Sequence, residues 1–190
     1  MFTTGYKCDC LRGFTGQHCD MEIDYCVNSP CSHGYCLKQI GGYECFCEEG
    51  WSGKNCDLYC NHYHPNVRIV HETCYIFMKD YKNYDDAKQN CSNQRGRLFE
   101  PRSITINKLI YEKSVEVFGD PEVSWIGIND LLAEGNYVFS GNEEKVDLMM
   151  WDPSNTISDD QDCIEFGWNN NESWTDRSCT NNYFFICEVV

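Results

Sequence analysis

The chain has 190 residues with 15 basic against 30 acidic side chains, a net charge of −15, and 15 cysteines. Acidity on this scale excludes nucleic acid and anionic membrane surfaces as natural partners, leaves cations and basic protein patches, and otherwise reads as a solvated surface. The cysteine density excludes a reducing compartment, and the odd count leaves at least one thiol without an intrachain partner.

No charged-then-apolar signal opens the chain, and no apolar run approaches the roughly 20 residues of a membrane span, so no membrane insertion is expected in this segment. Met1 lies close to a cysteine motif, so the sequence reads as a fragment and an upstream signal, stalk or anchor stays open. From Cys26 the cysteines run C-x4-C-x4-C-x8-C-x-C-x8-C to Cys56, with Gly41-Gly42-Tyr43 and Gly50-Trp51-Ser52-Gly53 between them. Glycines there permit tight turns, and a unit this short lacks the core to stand without covalent staples. By counting alone, six cysteines leave many connectivities open. Upstream, Cys8, Cys10 and Cys19 repeat C-x-C-x8-C around Gly13-Phe14-Thr15-Gly16.

The spacing from Cys26 to Cys56 closely resembles the epidermal-growth-factor-like (EGF-like) repeat, and the upstream part resembles the last half of another. We therefore expect a half repeat over residues 1–20 and a complete one over 22–57. The resemblance implies the pairs Cys10–Cys19, Cys26–Cys36, Cys31–Cys45 and Cys47–Cys56, with the partner of Cys8 lying before Met1. Many such repeats hold calcium through acidic residues before the first cysteine. Glu22 and Asp24 supply oxygens here, but Tyr25 and Lys38 stand at the other family positions, and an ammonium in a ligand position repels a divalent cation. The family's O-fucose position is Tyr35, which cannot serve.

Asp57-Leu58-Tyr59 is a short link without a flexible tract, so a larger second domain is expected over 58–190. Cys60 and Cys74 bracket a candidate strand, Val67 to Val70, and Cys74 to Met78 follows as a second, a hairpin that a bridge would close. His62, His64 and His71 lie there. The first two suit one strand face, but nothing nearby completes a metal set, and exposed strand histidines explain them. A helix is expected over 83–95, with Asn83 as N-cap, Asp85 and Asp86 in the first turn, and Gly96 as its end. A second helix runs from about Ser103 to Val117 on the spacing of Ile106, Leu109, Ile110 and Val117, stopped by Gly119 and Pro121. Residues 124–128, 137–139, 163–166 and 183–187 read as strands.

Tyr84-Asp-Asp-Ala87 before Cys91, Trp125-Ile-Gly-Ile-Asn-Asp130, Trp174-Thr-Asp176 before Cys179 and Phe185-Ile-Cys-Glu188 resemble the C-type lectin-like domain over about 60–190. The resemblance implies an α+β fold with two helices, two small antiparallel sheets and a long loop. It also implies bridges Cys91–Cys187 and Cys163–Cys179, with Cys60–Cys74 as the extra hairpin bridge of the long form. EGF-like repeats leading into such a domain are similar to the C-terminal region of aggrecan-type matrix proteoglycans.

In sugar-binding members five side chains hold one calcium, and two sugar hydroxyls complete its shell. The family pattern is Glu-Pro-Asn or Gln-Pro-Asp in the loop, Glu before Asp-Cys, and Trp-Asn-Asp. Aligned on Trp151, the tripeptide becomes Asn155-Thr156-Ile157; a shifted frame gives Asp152-Pro153-Ser154. Gln161 replaces the Glu before Asp162-Cys163, Thr175 replaces the Asn, and Asp176 alone matches. In the better frame Asn155, Gln161, Thr175 and Asp176 offer one negative charge, too little to offset calcium's dehydration. A rearranged set using Asp159, Asp160 and Asp162 is the alternative. No cofactor is required by this reading; calcium is the one candidate, with Asp176, Asp160, Glu22 and Asp24 as its candidate ligands.

No nucleophile–base pair, HExxH helix or phosphate loop appears, so no enzyme is expected. The expected function is extracellular recognition or adhesion, binding a protein or matrix ligand through the long-loop face. The alternative is a calcium-dependent, carbohydrate-binding lectin with divergent ligands. Asn171-Glu172-Ser173 is an N-glycosylation acceptor in a loop; Asn90-Cys91-Ser92 also fits formally, but its cysteine is expected in a bridge within a helix.

Overall fold

The computed structural model describes residues 8–60, 65–119, 122–148, 150–155, 158, 160–167 and 171–190. The chain divides into two compact units, one ending at Tyr59 and the other running from Cys60 to Val190.

In the first unit, β1 (Phe14–Thr15) pairs with β2 (Met21–Glu22), and β3 (Gly34–Gln39) pairs antiparallel with β4 (Gly42–Cys47) around a turn with Gly41 at φ 79°. The bridges are Cys10–Cys19, Cys26–Cys36, Cys31–Cys45 and Cys47–Cys56, and Cys8 is free and exposed. Staples replace a core here. Tyr35 and Phe46 stack across the hairpin at 5.0 Å and stay exposed. Gly13, at φ 98°, lies against the β3–β4 turn so closely that a Cβ would sit 2.6 Å from the Gly41 nitrogen. Beside it the Arg12 Nε donates to the Gly41 carbonyl at 3.1 Å. β5 (Trp51–Ser52) and β6 (Leu58–Tyr59) form a last small pairing. That pairing keeps residues 58 and 59 with the first compact unit.

The second unit opens with β7 (Val67–Val70) and β8 (Thr73–Lys82), joined by a tight turn in which His71 and Glu72 both take positive φ. Then follow α1 (Tyr84–Asn93), β9 (Gly96–Leu98), α2 (Ile104–Phe118), β10 (Ser124–Asn129), β11 (Val138–Phe139), β12 (Cys163–Phe166), β13 (Trp174–Arg177) and β14 (Tyr183–Val189). Hydrogen bonding runs β13-β12-β10-β14-β8-β7, with β11 on β10 and β9 on β14. Among the described residues every pairing between these strands is antiparallel except β10–β14, which runs parallel and joins the two groups of strands.

Both helices start where their caps dictate. The Asn83 side chain accepts from the Asp86 amide, and the Ser103 side chain accepts from the Ile106 amide. Helix α1 stops earlier than expected, at Gln94, because Gly96 opens β9 instead of ending the helix. There a Cβ would lie 2.3 Å from the Glu188 carbonyl oxygen, so only glycine lets β9 approach β14. Helix α2 buries Asn107, Ile110, Ser114 and Val117, one stripe at helical spacing, with Ile106 and Leu109 partly buried at its margin.

One core cluster gathers Phe77, Phe99, Ile110, Ile126, Ile164, Phe166, Trp174 and Ile186; a second gathers Tyr84, Ala87, Leu98, Trp125 and Phe185 around the cysteines. Tyr84 and Trp125 meet edge to face at 5.5 Å, and the Trp125 indole donates to the Lys82 carbonyl at 2.9 Å. Cys91–Cys187 fastens α1 to β14, Cys163–Cys179 joins β12 to the segment after β13, and Cys60–Cys74 closes onto β8. Glu100, 2% exposed, is held by Arg102 at 2.8 Å, Arg97 at 3.3 Å and the Gly141 amide at 2.7 Å. Glu188 takes Arg97 at 2.9 Å and the Glu100 amide at 3.2 Å. These charges pin β9, the approach to α2 and the start of the long loop to β14.

Removing Cys91–Cys187 as the double alanine variant should lower unfolding free energy by about 2–5 kcal/mol, since the bridge closes a separation of 96 residues. Guanidinium denaturation checks this, and an unchanged midpoint would contradict it.

Candidate functional site

The long loop leaves β11 and returns into β12. Its base is built by backbone bonds to the strand opposite: the Trp174 amide donates to the Met150 carbonyl at 2.7 Å, and the Asp152 amide donates to the Trp174 carbonyl at 2.9 Å. Asp152 is buried and acts as the loop's internal anchor. Its Oδ1 accepts from the Ser154 amide at 2.8 Å and from the Ser154 hydroxyl, and its Oδ2 accepts from the Ser173 hydroxyl at 3.2 Å. Trp151 lies edge-on to Tyr137 at 4.7 Å and to Trp174 at 6.2 Å. The Trp174 indole donates to the Asn107 side chain of α2 at 3.0 Å. The loop base is thus an aromatic block tied to helix and sheet.

Asp176 lies on β13 opposite Ile164 of β12 and is fully buried. The Tyr137 hydroxyl donates to its Oδ2 at 2.8 Å, and its amide donates to the Asn155 Oδ1 at 2.9 Å. Burial pushes the Asp176 carboxyl up to about 7. The Tyr137 bond opposes that rise, and Asp130, Glu134 and Asp162 add to it. Asp130 follows β10; its Oδ2 accepts from the Gly135 amide at 2.7 Å, and burial is likewise the main cause that raises its carboxyl. Burial and then Asp176 push the Tyr137 phenol upward, so it stays a proton donor throughout the physiological range. In this region Asp130 Oδ1, Gln161 Oε1, Thr175 Oγ1 and Asp176 Oδ1 are buried with no hydrogen-bond partner among the described residues. Beside them Glu165, fully buried on β12, is paired with Arg177 at 3.0 Å; burial raises its carboxyl and Arg177 opposes the rise.

The residues expected at this site scatter in role. Asn155 meets Asp176, with Asn155 Oδ1 spent on the Asp176 amide and Asp176 Oδ2 on Tyr137, while Gln161 and Thr175 carry buried oxygens with no hydrogen-bond partner among the described residues. Asp162 contributes charge toward Asp176 and a carbonyl that accepts from the Asp130 amide at 3.1 Å. Asp160 accepts from the Ser158 hydroxyl at 2.6 Å. Thr156, Ile157, Asp159, His62 and His64 lie outside the described residues. In the first unit Glu22 takes the Lys38 ammonium at 3.2 Å and Asp24 accepts from the Cys26 amide at 2.8 Å, so both candidate calcium ligands there have internal partners. Among the described residues no group of three His, Cys, Asp or Glu could hold a metal ion. Calcium shared with a sugar needs about six to eight oxygens, several of them carboxylate. Two buried carboxyls, Asp176 bonded to a phenol and Asp130 bonded to the Gly135 amide, with neutral Asn155, Gln161 and Thr175, fall short of that requirement.

Tyr137, Asp130 and Glu134 went unnoticed as site residues. Tyr137 reads in sequence only as a strand residue, whereas an aspartate four positions before a glutamate, just past a buried strand, is a signal that could have marked the other two.

Tyr137→Phe removes the donor from a buried carboxylate and should cost about 1–3 kcal/mol, read by thermal or urea unfolding. The pH dependence has a definite sign. Between its ordinary value of 3.8 and about 7, folded Asp176 holds more proton than the unfolded chain, so stability falls as pH rises through that window. In chelator-treated buffer Asp176→Asn should flatten that part of the slope; an unchanged profile would show that Asp176 is not the group responsible.

Residues 80–189 match the Lectin C-type domain family and residues 26–55 match the EGF-like domain. Collectin-10 of Mus musculus is 32% identical over 127 residues, 65% of this chain and 44% of that protein. C-type lectin domain family 3 member A of the same species is 29% identical over 125 residues, 64% of this chain and 62% of that protein. The chain therefore spans less than two thirds of the length of these relatives. Among solved structures, the mouse scavenger receptor C-type lectin carbohydrate-recognition domain superposes with a TM-score of 0.58 at 24% identity, covering 66% of this chain and 94% of that one. A calcium-dependent type II antifreeze protein in its calcium-free form gives 0.59 at 19% identity, covering 66% and 98%. At these identities the structural likeness speaks for the fold alone. With the family match covering more than half of the chain, this protein belongs to the C-type lectin domain family, with an EGF-like domain before the lectin domain.

Proposed function

We propose that this chain is a non-catalytic extracellular recognition module whose lectin-type unit binds a protein or matrix ligand through its long-loop face, without a calcium-completed sugar site. The observation that carries the reading is the Tyr137–Asp176 bond at 2.8 Å. Asp176 is the one residue that matches the sugar-site pattern outright, and its carboxyl is closed from inside by a phenol. Asn155 faces inward in the same way, as acceptor for the Asp176 amide. The extracellular setting is supported by fourteen cysteines in seven bridges and by the EGF-like and lectin-type pairing. Among the described residues no helix is long and apolar enough to cross a membrane. With a net charge of −15, the complementary ligand surface is basic.

One observation favours a second reading, calcium-dependent carbohydrate binding through divergent ligands. The four buried, unpartnered oxygens of Asp130, Gln161, Thr175 and Asp176 call for a cation, a proton or water. When bound, calcium would supply the coordination positions that sugar hydroxyls complete.

Melting the full chain in chelator and then in millimolar calcium separates the two. A bound cation must stabilise the folded state, so the first reading predicts an unmoved transition. A rise with calcium that Asp176→Ala abolishes, together with a chelator-sensitive glycan-array signal, would establish the second.

A further inference from the structure

Two segments of this chain fit the Asn-x-Ser acceptor pattern, and the fold separates them. Asn90 lies in α1 with its side-chain oxygen buried, and the neighbouring Cys91 is wholly buried in its bridge to Cys187. Asn171 lies in the connection between β12 and β13 and is half-buried. Its Oδ1 accepts from the Ser173 amide at 2.8 Å, a side-chain turn that leaves the amide nitrogen Nδ2 outside that bond.

The segment carrying Asn171 is firmly held. The Glu172 carbonyl accepts from the Asn107 side chain at 2.8 Å, the Ser173 carbonyl accepts from the Gly167 amide at 3.2 Å, and the Ser173 hydroxyl reaches Asp152 at 3.2 Å. Asp152 is the anchor of the long loop. A group attached at Asn171 is thus rooted two residues from a side chain that touches the loop's own base, beside Met150 and Trp151.

We infer that Asn171 carries an N-linked glycan whose root stands beside the long-loop base and restricts access to the Met150–Trp151 side of that face. The second half of this inference rests on the proposed role of that face in recognition. In the attachment step Nδ2 attacks the anomeric carbon of a lipid-diphosphate-linked oligosaccharide. The bond from that carbon to the phosphate oxygen breaks, the lipid diphosphate departs with the bonding pair, and Nδ2 gives up one proton. No oxidation or reduction takes part. A glycan there hydrates a surface that is already strongly acidic and narrows the approach of a macromolecular ligand to the part of the face away from β12–β13.

The test uses the full chain secreted from mammalian cells, with intact mass read before and after peptide N-glycosidase treatment in heavy-oxygen water. The expected result is a mass above the polypeptide that collapses on treatment, with position 171 converted to aspartate carrying one heavy oxygen. Asn171→Gln and Ser173→Ala should each abolish the addition, and Asn90→Gln should leave it intact. A secreted chain at bare polypeptide mass, or a label at position 90, overturns the assignment. Hydroxyl-radical footprinting of the native protein reads the shielding: oxidation of Met150 and Trp151 should rise after the glycan is removed while that of Met78 stays constant. Equal rates before and after overturn the shielding. Because calcium plays no part in either readout, failure here is distinct from failure of the calcium-insensitive melt on which the functional reading stands.

Discussion

Strand β14 is the constraint on which the lectin-type unit depends. It lies between β10 and β8, also accepts β9 at its end, and buries Phe185, Ile186 and Cys187 completely. Cys187 ties it to α1, and Glu188 ties it through Arg97 and the Glu100 amide to β9 and the residues that lead into α2. The β10–β14 pairing runs parallel, so the chain must cross over between these two strands, through β11, the long loop, β12 and β13. A covalent clamp and a buried ion network at one strand convert these long excursions into a fixed frame. Buried charges of this kind cost much in desolvation and are tolerable only when fully paired, which is why Glu100 and Glu188 share two arginines and backbone amides.

The same frame holds the long loop. Asn107 of α2 receives the Trp174 indole, Trp174 exchanges backbone bonds with Met150 and Asp152, and Trp151 fills the angle between Trp174 and Tyr137. Aromatic packing fixes the Tyr137 hydroxyl on Asp176. Its consequence is chemical: a carboxyl that would offer a charged oxygen to a cation is instead buried, hydrogen-bonded and pushed toward neutrality by burial and by Asp130, Glu134 and Asp162. On the reading proposed above, recognition at this face depends on shape and charge, not on a metal-bridged hydroxyl pair.

Much of this was legible in the sequence, for physical reasons that differ by element. Helix α1 announced itself through the Asn83 cap and α2 through the spacing of Ile106, Leu109, Ile110 and Val117 and the stop at Gly119, all local effects. The lectin and EGF-like likeness rested on cysteine, tryptophan and glycine positions that covalent and steric rules dictate. Strand β13 was missed because Trp174, Thr175 and Asp176 are all buried and show no alternation. Strand β9 was missed because its entry depends on how closely Gly96 approaches the Glu188 carbonyl, a contact between distant segments. The departures from the sugar-site pattern at Gln161 and Thr175 could be read from the sequence, but the bond from Tyr137 to Asp176 could not. The partner of Asp176 lies 39 residues away on a different segment, and nothing local in Tyr137 points to it.

The closing of Asp176 is tested most directly by a crystal structure of the full chain grown in millimolar calcium. The expected result is the Tyr137 hydroxyl still on the Asp176 carboxyl at about the present 2.8 Å, with no cation between them. A calcium ion coordinated by Asp130, Asp176 and Gln161, with Tyr137 turned away, would contradict it.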